Sequence, residues 1–265
     1  MDGLRKLAIG DSSVIVLESV TDDIKQTLRE QFANYCYGRV RAGESPDYYS
    51  FELTVEQFFR LYDTKAHSTR MGLAGELVVH LLLSDGHENL ESACVYLNKE
   101  EHSVKKGFDL TFLDREDGDI WYGEVKSGDV SDGSNANEKA WERIGEAERS
   151  LEQMFTTNIE KKRWDAAQFD ADSALRKKRA NKVKDLLRTD FMEIHRGATK
   201  KVRALLCAVV MHPFESSQID AETGAAILER VRGRGRFRDV RLFLIQQSDL
   251  GALVRVLREA LSGVD

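Results

Sequence analysis

Glu124 and Lys126 stand two positions apart at the end of the run Ile120-Trp121-Tyr122-Gly123-Glu124-Val125-Lys126. In a β-strand both project from one face and Val125 from the other. Asp109 lies 15 positions before Glu124, and between them Asp114-Arg115-Glu116-Asp117-Gly118-Asp119 carries a hairpin-turn signal. Such a hairpin brings Asp109 beside Glu124, giving two carboxylates and one ammonium at a sheet edge. That set suits phosphodiester hydrolysis. Carboxylate oxygens suit Mg²⁺ or Mn²⁺, and the ion polarises a phosphoryl oxygen and acidifies water. A neighbouring lysine stabilises charge that develops on the phosphorus oxygens. The set offers no Cys/His cage for zinc.

Glu76 adds a third carboxylate. It lies in Met71-Gly72-Leu73-Ala74-Gly75-Glu76-Leu77-Val78-Val79-His80, where the only polar side chains are Glu76 and His80. A carboxylate among apolar neighbours needs a partner or a metal. Gly72 and Gly75 keep the helix slim enough to approach a sheet closely. The bland readings stand beside these. Glu-x-Lys on a strand is more often a solvated face or a cross-strand ion pair, and Glu76 could pair with His80 one turn on. His80 reads as structural. Lys105 and Lys106 could reach phosphate or simply solvate the entry to a strand. Lys177, Lys178 and Arg179 could line a nucleic-acid groove. A charge run is more often a solvated helix face, and Asp165, Asp170 and Asp172 interleave with this one. The arginines of residues 230–241 are balanced between the same two readings.

The elements that must position these residues follow from hydrophobic periodicity and turn residues. Strands are expected at 13–17, 93–97, 107–113, 120–126, 202–211 and 240–246. Helices are expected at 21–35, 53–62, 69–83, 140–155, 220–232 and 251–261. The charged segment 156–200 reads as a helical insertion. The order predicts an α/β fold with a mixed sheet and helices on both faces. The division expected is a strand and helical N-terminal subregion, 1–68, before a core of 69–265.

The charge is uneven. Residues 160–203 hold 14 Lys/Arg against 7 Asp/Glu, whereas residues 1–159 hold 17 against 30. A free-standing tight DNA binder is usually basic overall, so a partner chain is expected to supply affinity. No apolar run approaches the roughly 20 residues that span a bilayer. The first residues carry no signal core, so a cytoplasmic protein without membrane contact is expected. Cys36, Cys94 and Cys207 are too few and too scattered for a disulfide framework or a zinc knuckle. They read as small buried apolar residues.

Asp109 followed by Glu124-Val125-Lys126 resembles the signature of the PD-(D/E)XK nucleases, with Gly107-Phe108-Asp109 in place of the proline-containing element. Together with Arg70-Met71-Gly72-Leu73-Ala74-Gly75-Glu76 and Trp121-Tyr122-Gly123, it resembles the HamA nuclease subunits of Hachiman antiphage systems. The resemblance covers residues 70–127. It implies a restriction-endonuclease-like fold and DNA as substrate. It implies Glu76, Asp109 and Glu124 as metal-binding carboxylates and Lys126 as the catalytic lysine. It also implies a superfamily 2 helicase partner, HamB; this chain has no Gly-x-x-x-x-Gly-Lys-Ser/Thr loop of its own. Two other readings remain: a catalytically silent docking or DNA-binding module, and a structure-specific nuclease of DNA repair.

Overall fold

Gly10, at φ +58°, reverses the chain between β1 (Leu4–Ile9) and β2 (Ser12–Leu17). The loop Gly10-Asp11 closes an antiparallel pair that starts at Ile9 and Ser12. Glycine fills that left-handed turn position without a Cβ clash. The sequence reading expected the second strand and not the first, because Arg5 and Lys6 interrupt the apolar pattern of β1.

The computed structural model describes residues 2–83, 89–97, 107–130, 134–249 and 251–262. After β2 come α1 (Asp22–Tyr37), α2 (Arg39–Glu44), α3 (Phe51–Tyr62) and α4 (His67–Leu83). Then follow β3 (Leu90–Ser92), β4 (Leu110–Asp114), β5 (Ile120–Asp129), α5 (Ala136–Thr156), α6 (Lys161–Ala174) and α7 (Lys177–His195). The chain continues through β6 (Arg203–Met211), α8 (Ala221–Gly233), β7 (Asp239–Gln247) and α9 (Gly251–Ser262). The strands form one sheet in the order β1-β2-β7-β6-β5-β4-β3. The pairs β2–β7, β7–β6 and β6–β5 are parallel; β1, β4 and β3 add antiparallel. The expected mixed α/β architecture is the one observed. The strands of residues 1–68 belong to the same sheet as the rest.

Alternation along the strands sorts the core into two layers. Tyr122, Leu206, Ala208, Leu242 and Leu244 pack under α5, α6, α7 and α8. Val125, Cys207, Val209, Phe243 and Ile245 pack under α1, α3, α4 and α9. Cys36, Cys94 and Cys207 are buried, as expected. Among the described residues no helix is long and apolar enough to cross a membrane.

Residues 93–97 are buried but form no strand, against expectation. Their apolar run would suit a strand, and Ala93 N still donates to Thr111 O of β4 at 2.8 Å, but the donors of Tyr96 and Leu97 go elsewhere. Tyr96 N donates to Tyr35 O at 2.7 Å and Leu97 N to Cys36 O at 3.3 Å, at the end of α1. The strand expected at 107–113 begins only at Leu110. The charged segment forms α6 and α7, which cap the layer over β4 and β5. Trp164 meets the rings of Phe108 and Phe155 edge-on at 5.2 and 5.6 Å. Tyr122 Oη donates to Asp190 on α7 at 2.7 Å.

Candidate active site

β4 pairs with β5 only from Leu113–Ile120 to Leu110–Gly123. Past Gly123, among the described residues, β5 continues to Asp129 paired with β6 alone. The strand is interior at its start and becomes an edge at Glu124. Asp109, the residue before β4, turns its carboxylate into that gap. Its Oδ2 accepts from Val125 N at 2.9 Å, the backbone donor that faces where β4 would have continued. Asp109 therefore lies just outside the hairpin strand, and a side chain replaces the next rung of the ladder.

Glu124 and Lys126 project to the α5 side, above Leu206 and Ala208 of β6. Lys126 Nζ donates to Glu124 Oε1 at 2.6 Å. Glu124 is only 3% exposed, and its Oε2 is buried without a hydrogen-bond partner. Burial first, then the charge of Asp109, push the Glu124 carboxyl up to about 8; Lys126 pulls it down, and Glu76 raises it further. For Lys126, burial works against the charged form, but the carboxylates of Glu124 and Asp109 outweigh it and raise its pKa. Glu124 thus sits where burial and a neighbouring carboxylate both oppose its charged form.

Glu76 comes from α4, on the opposite layer. Its helix lies so close to β5 that a Cβ at Gly75 would sit 1.8 Å from Ser127 Oγ and 2.9 Å from Ser127 Cβ. A Cβ at Gly72 would meet nothing within 4 Å. Only Gly75, then, has the expected role of slimming the helix. The gap beside β5 lets groups of both layers act on one another. Burial is the main cause that raises Glu124 and Cys207, which face opposite layers, and the charge of Asp109 adds to both.

The described residues hold no group of three or more His, Cys, Asp or Glu placed to ligate an ion. Asp109 and Glu124 form a pair, and Glu76 acts on it by charge. The pair still suits a divalent cation. It has an orphaned buried oxygen, Glu124 Oε2, and a mutual repulsion that a cation would relieve. Carboxylate oxygens are the donor type that Mg²⁺ and Mn²⁺ take, with water completing the shell.

Of the expected phosphate contacts, only those at the start of α7 lie among the described residues. Lys105 and Lys106 lie outside the described residues. Lys177 and Lys178 are exposed at the start of α7, and Arg179 pairs with Glu91 of β3 at 2.8 Å. Glu91 stands opposite Leu113, four residues from Asp109 and so about 13 Å along the strand. Several late arginines hold the fold together instead. Arg234 and Arg236 meet the fully buried Glu148 at 2.6 and 3.5 Å, and Arg241 lies over the Trp121 ring at 4.4 Å. His80 is buried against the rings of Tyr35 and Tyr96, which fits its structural reading.

The sequence reading missed one side of α5. Asn135 opens this helix with a capping box, its side chain accepting from Glu138 N at 3.0 Å. That start fixes the phase of the helix. Ala140, Ile144, Ala147 and Leu151 face the sheet, and Lys139, Arg143 and Glu146 follow on the flank toward β5. Glu146 is near enough to act on Lys126. The i, i+4, i+7 spacing of these three was legible beside the apolar stripe.

Compared with known proteins, the chain matches one family model, described as HamA, over residues 6–261. No curated protein matches it.

Proposed function

The chain belongs to the HamA family, which makes it a component of a Hachiman antiphage defence system, and we propose that its part there is metal-dependent cleavage of DNA. The observation that carries this reading is the pairing of Asp109 with Glu124 and Lys126 where β4 leaves β5. The Glu124 carboxyl, raised by burial and by Asp109, keeps one buried oxygen without a partner and holds the other 2.6 Å from the Lys126 ammonium.

Asp109 and Glu124 would hold Mg²⁺ or Mn²⁺, with Glu76 adding negative charge from α4; the ion supplies Lewis-acid polarisation of a phosphoryl oxygen. The residues supply the rest. Val125 N fixes the Asp109 carboxylate, so that group is positioned before substrate arrives. Glu124 keeps one oxygen on Lys126 and leaves the other directed away from it. Lys126 remains protonated and brings positive charge to the side of Glu124, where an attacking water can be oriented and phosphate charge stabilised. Burial under α5 and α6 lowers the local dielectric and strengthens each of these interactions.

A superfamily 2 helicase is the proposed partner. Residues 1–159 carry 17 Lys/Arg against 30 Asp/Glu, a balance that repels a polyanion over a footprint of several base pairs. Non-specific DNA affinity comes from lysines and arginines that displace counterions, and a motor with its own DNA channel would provide it.

The test is to co-purify the chain with the protein encoded beside it and follow plasmid degradation with Mg²⁺ and ATP. Degradation that EDTA stops, and that Glu124→Gln and Lys126→Ala both abolish, is expected. An intact plasmid, or degradation by the Glu124→Gln chain, would overturn the reading and favour a silent docking module.

A further inference from the structure

On the flank of α5, Lys139 and Arg143 lie over Gly128 of β5. A Cβ at Gly128 would come 3.2 Å from Arg143 Cδ, 3.3 Å from Arg143 Nε and 3.4 Å from Lys139 Cδ. Glu124, Lys126 and Gly128 alternate onto one face of the strand, so both cations share the face of the candidate site. The missing side chain at Gly128 leaves room for their stems.

We infer that Arg143, with Lys139 beside it, binds the DNA phosphate next to the one being cleaved. The inference rests on the nuclease reading and names the contact that aligns the strand. Three observations carry it. First, Gly128 is two residues beyond Lys126, about 6.6 Å along the strand, which is close to the separation of neighbouring phosphates. Second, both side chains are largely withdrawn from water, Lys139 at 14% and Arg143 at 20% exposed, whereas such residues are mostly solvated. Third, Arg143 Nε is buried without a partner although the guanidinium pairs with Glu142 and, at 2.9 Å, with Glu146. Nε is pressed against Gly128, which fixes the stem, so a phosphate would take the terminal nitrogens in competition with these acids.

A purely structural ladder is the competing account, since Lys139 also pairs with Glu142 at 2.6 Å, three residues on. The two accounts differ in what the acids do. In a ladder, Glu146 stabilises α5 and has no bearing on DNA. In a phosphate site, Glu146 competes with the phosphate for Arg143.

The experiment measures binding of a short labelled DNA by the full-length Glu124→Gln chain, by anisotropy over a salt series. Arg143→Ala is expected to weaken binding about tenfold and lower the salt slope by about 0.9, one phosphate contact. Arg143→Lys should restore part of the affinity, and Glu146→Gln should tighten binding. Melting curves establish that each variant is folded. Unchanged affinity and slope in Arg143→Ala, or unchanged binding in Glu146→Gln, would overturn the inference. Cleavage by the otherwise unaltered chain with its partner separates the two claims. If it cleaves and the binding series is flat, only this inference falls. If it does not cleave, the nuclease reading falls, and with it the assignment of this phosphate.

Discussion

The carboxylate of Asp109 takes the backbone N–H of Val125 at 2.9 Å, so the residue that precedes β4 is tied to the midpoint between Glu124 and Lys126. This bond does two things. It satisfies a strand donor that has lost its ladder partner, and it sets a second carboxylate beside Glu124. The tie couples sheet integrity to the chemistry proposed, and it shapes what substitutions here will do.

Glu124→Gln is expected to abolish DNA cleavage and raise the melting temperature of the metal-free protein. The gain is read toward and above pH 8, where the folded chain ionises Glu124 and a neutral amide removes a charge that is 3% exposed and faces Asp109. Gains in stability from neutralising a functional group are a familiar trade-off. Alanine is the poorer choice, because truncating a buried side chain opens a cavity. Plasmid assays and calorimetry on the same preparation check both halves. A variant that cleaves, or one that melts lower, contradicts the assignment.

Stability should depend on pH in a defined window. Glu124 rises from an ordinary 4.5 to about 8 in the folded chain, chiefly through burial. The folded state therefore holds a proton that the unfolded state releases. This contribution is fully present below about 4.5 and is lost as pH rises through about 8. In chelator the melting temperature should fall across that window, and the Glu124→Gln chain should show less of the fall. Mg²⁺ should stabilise the chain more at the alkaline end, where the carboxylate ionises at lower cost. A Mg²⁺ effect that is the same at both ends of the window would count against Glu124 as a ligand.

Two glycines of α4 should behave oppositely. Gly75→Ala places a Cβ 1.8 Å from Ser127 Oγ, and relief means moving the helix that carries Glu76; a loss of about 1–3 kcal/mol is expected, with reduced cleavage. Gly72→Ala meets nothing within 4 Å and should stabilise the helix by up to about 1 kcal/mol. Urea melts of the two variants give the comparison. Equal effects would mean that α4 does not pack on β5 as described.

The isolated chain should bind DNA weakly, and the helicase partner should strengthen capture. The late cations, which offset part of the acidic front in the sum of charges, are partly committed within the fold, as Arg179 is to Glu91 and Arg234 to Glu148. Filter binding at modest salt, with and without the partner, tests this. Tight and steeply salt-dependent binding by the chain alone would show that it needs no partner for capture.

The sequence by itself determined most elements and their order. Helical periodicity marked α1, α4, α5, α8 and α9, and apolar runs marked β2, β5, β6 and β7, because each pattern is local and set by one buried face. It also marked Asp109, Glu124 and Lys126, since alternation on a strand and one turn signal suffice to bring them near each other. Tertiary structure decided the rest. Residues 93–97 have strand composition, yet carbonyls at the end of α1 take the donors of Tyr96 and Leu97, a partner far away in sequence. The early end of β4 is invisible in composition, because Asp109 replaces a ladder rung with a side chain. The depth at which Glu124 sits, and hence its raised pKa, arises where α5 and α6 cover the sheet. So does the place of Lys139 and Arg143 over Gly128: spacing fixes which residues share a side of α5, but only packing on β5 turns that side toward Lys126.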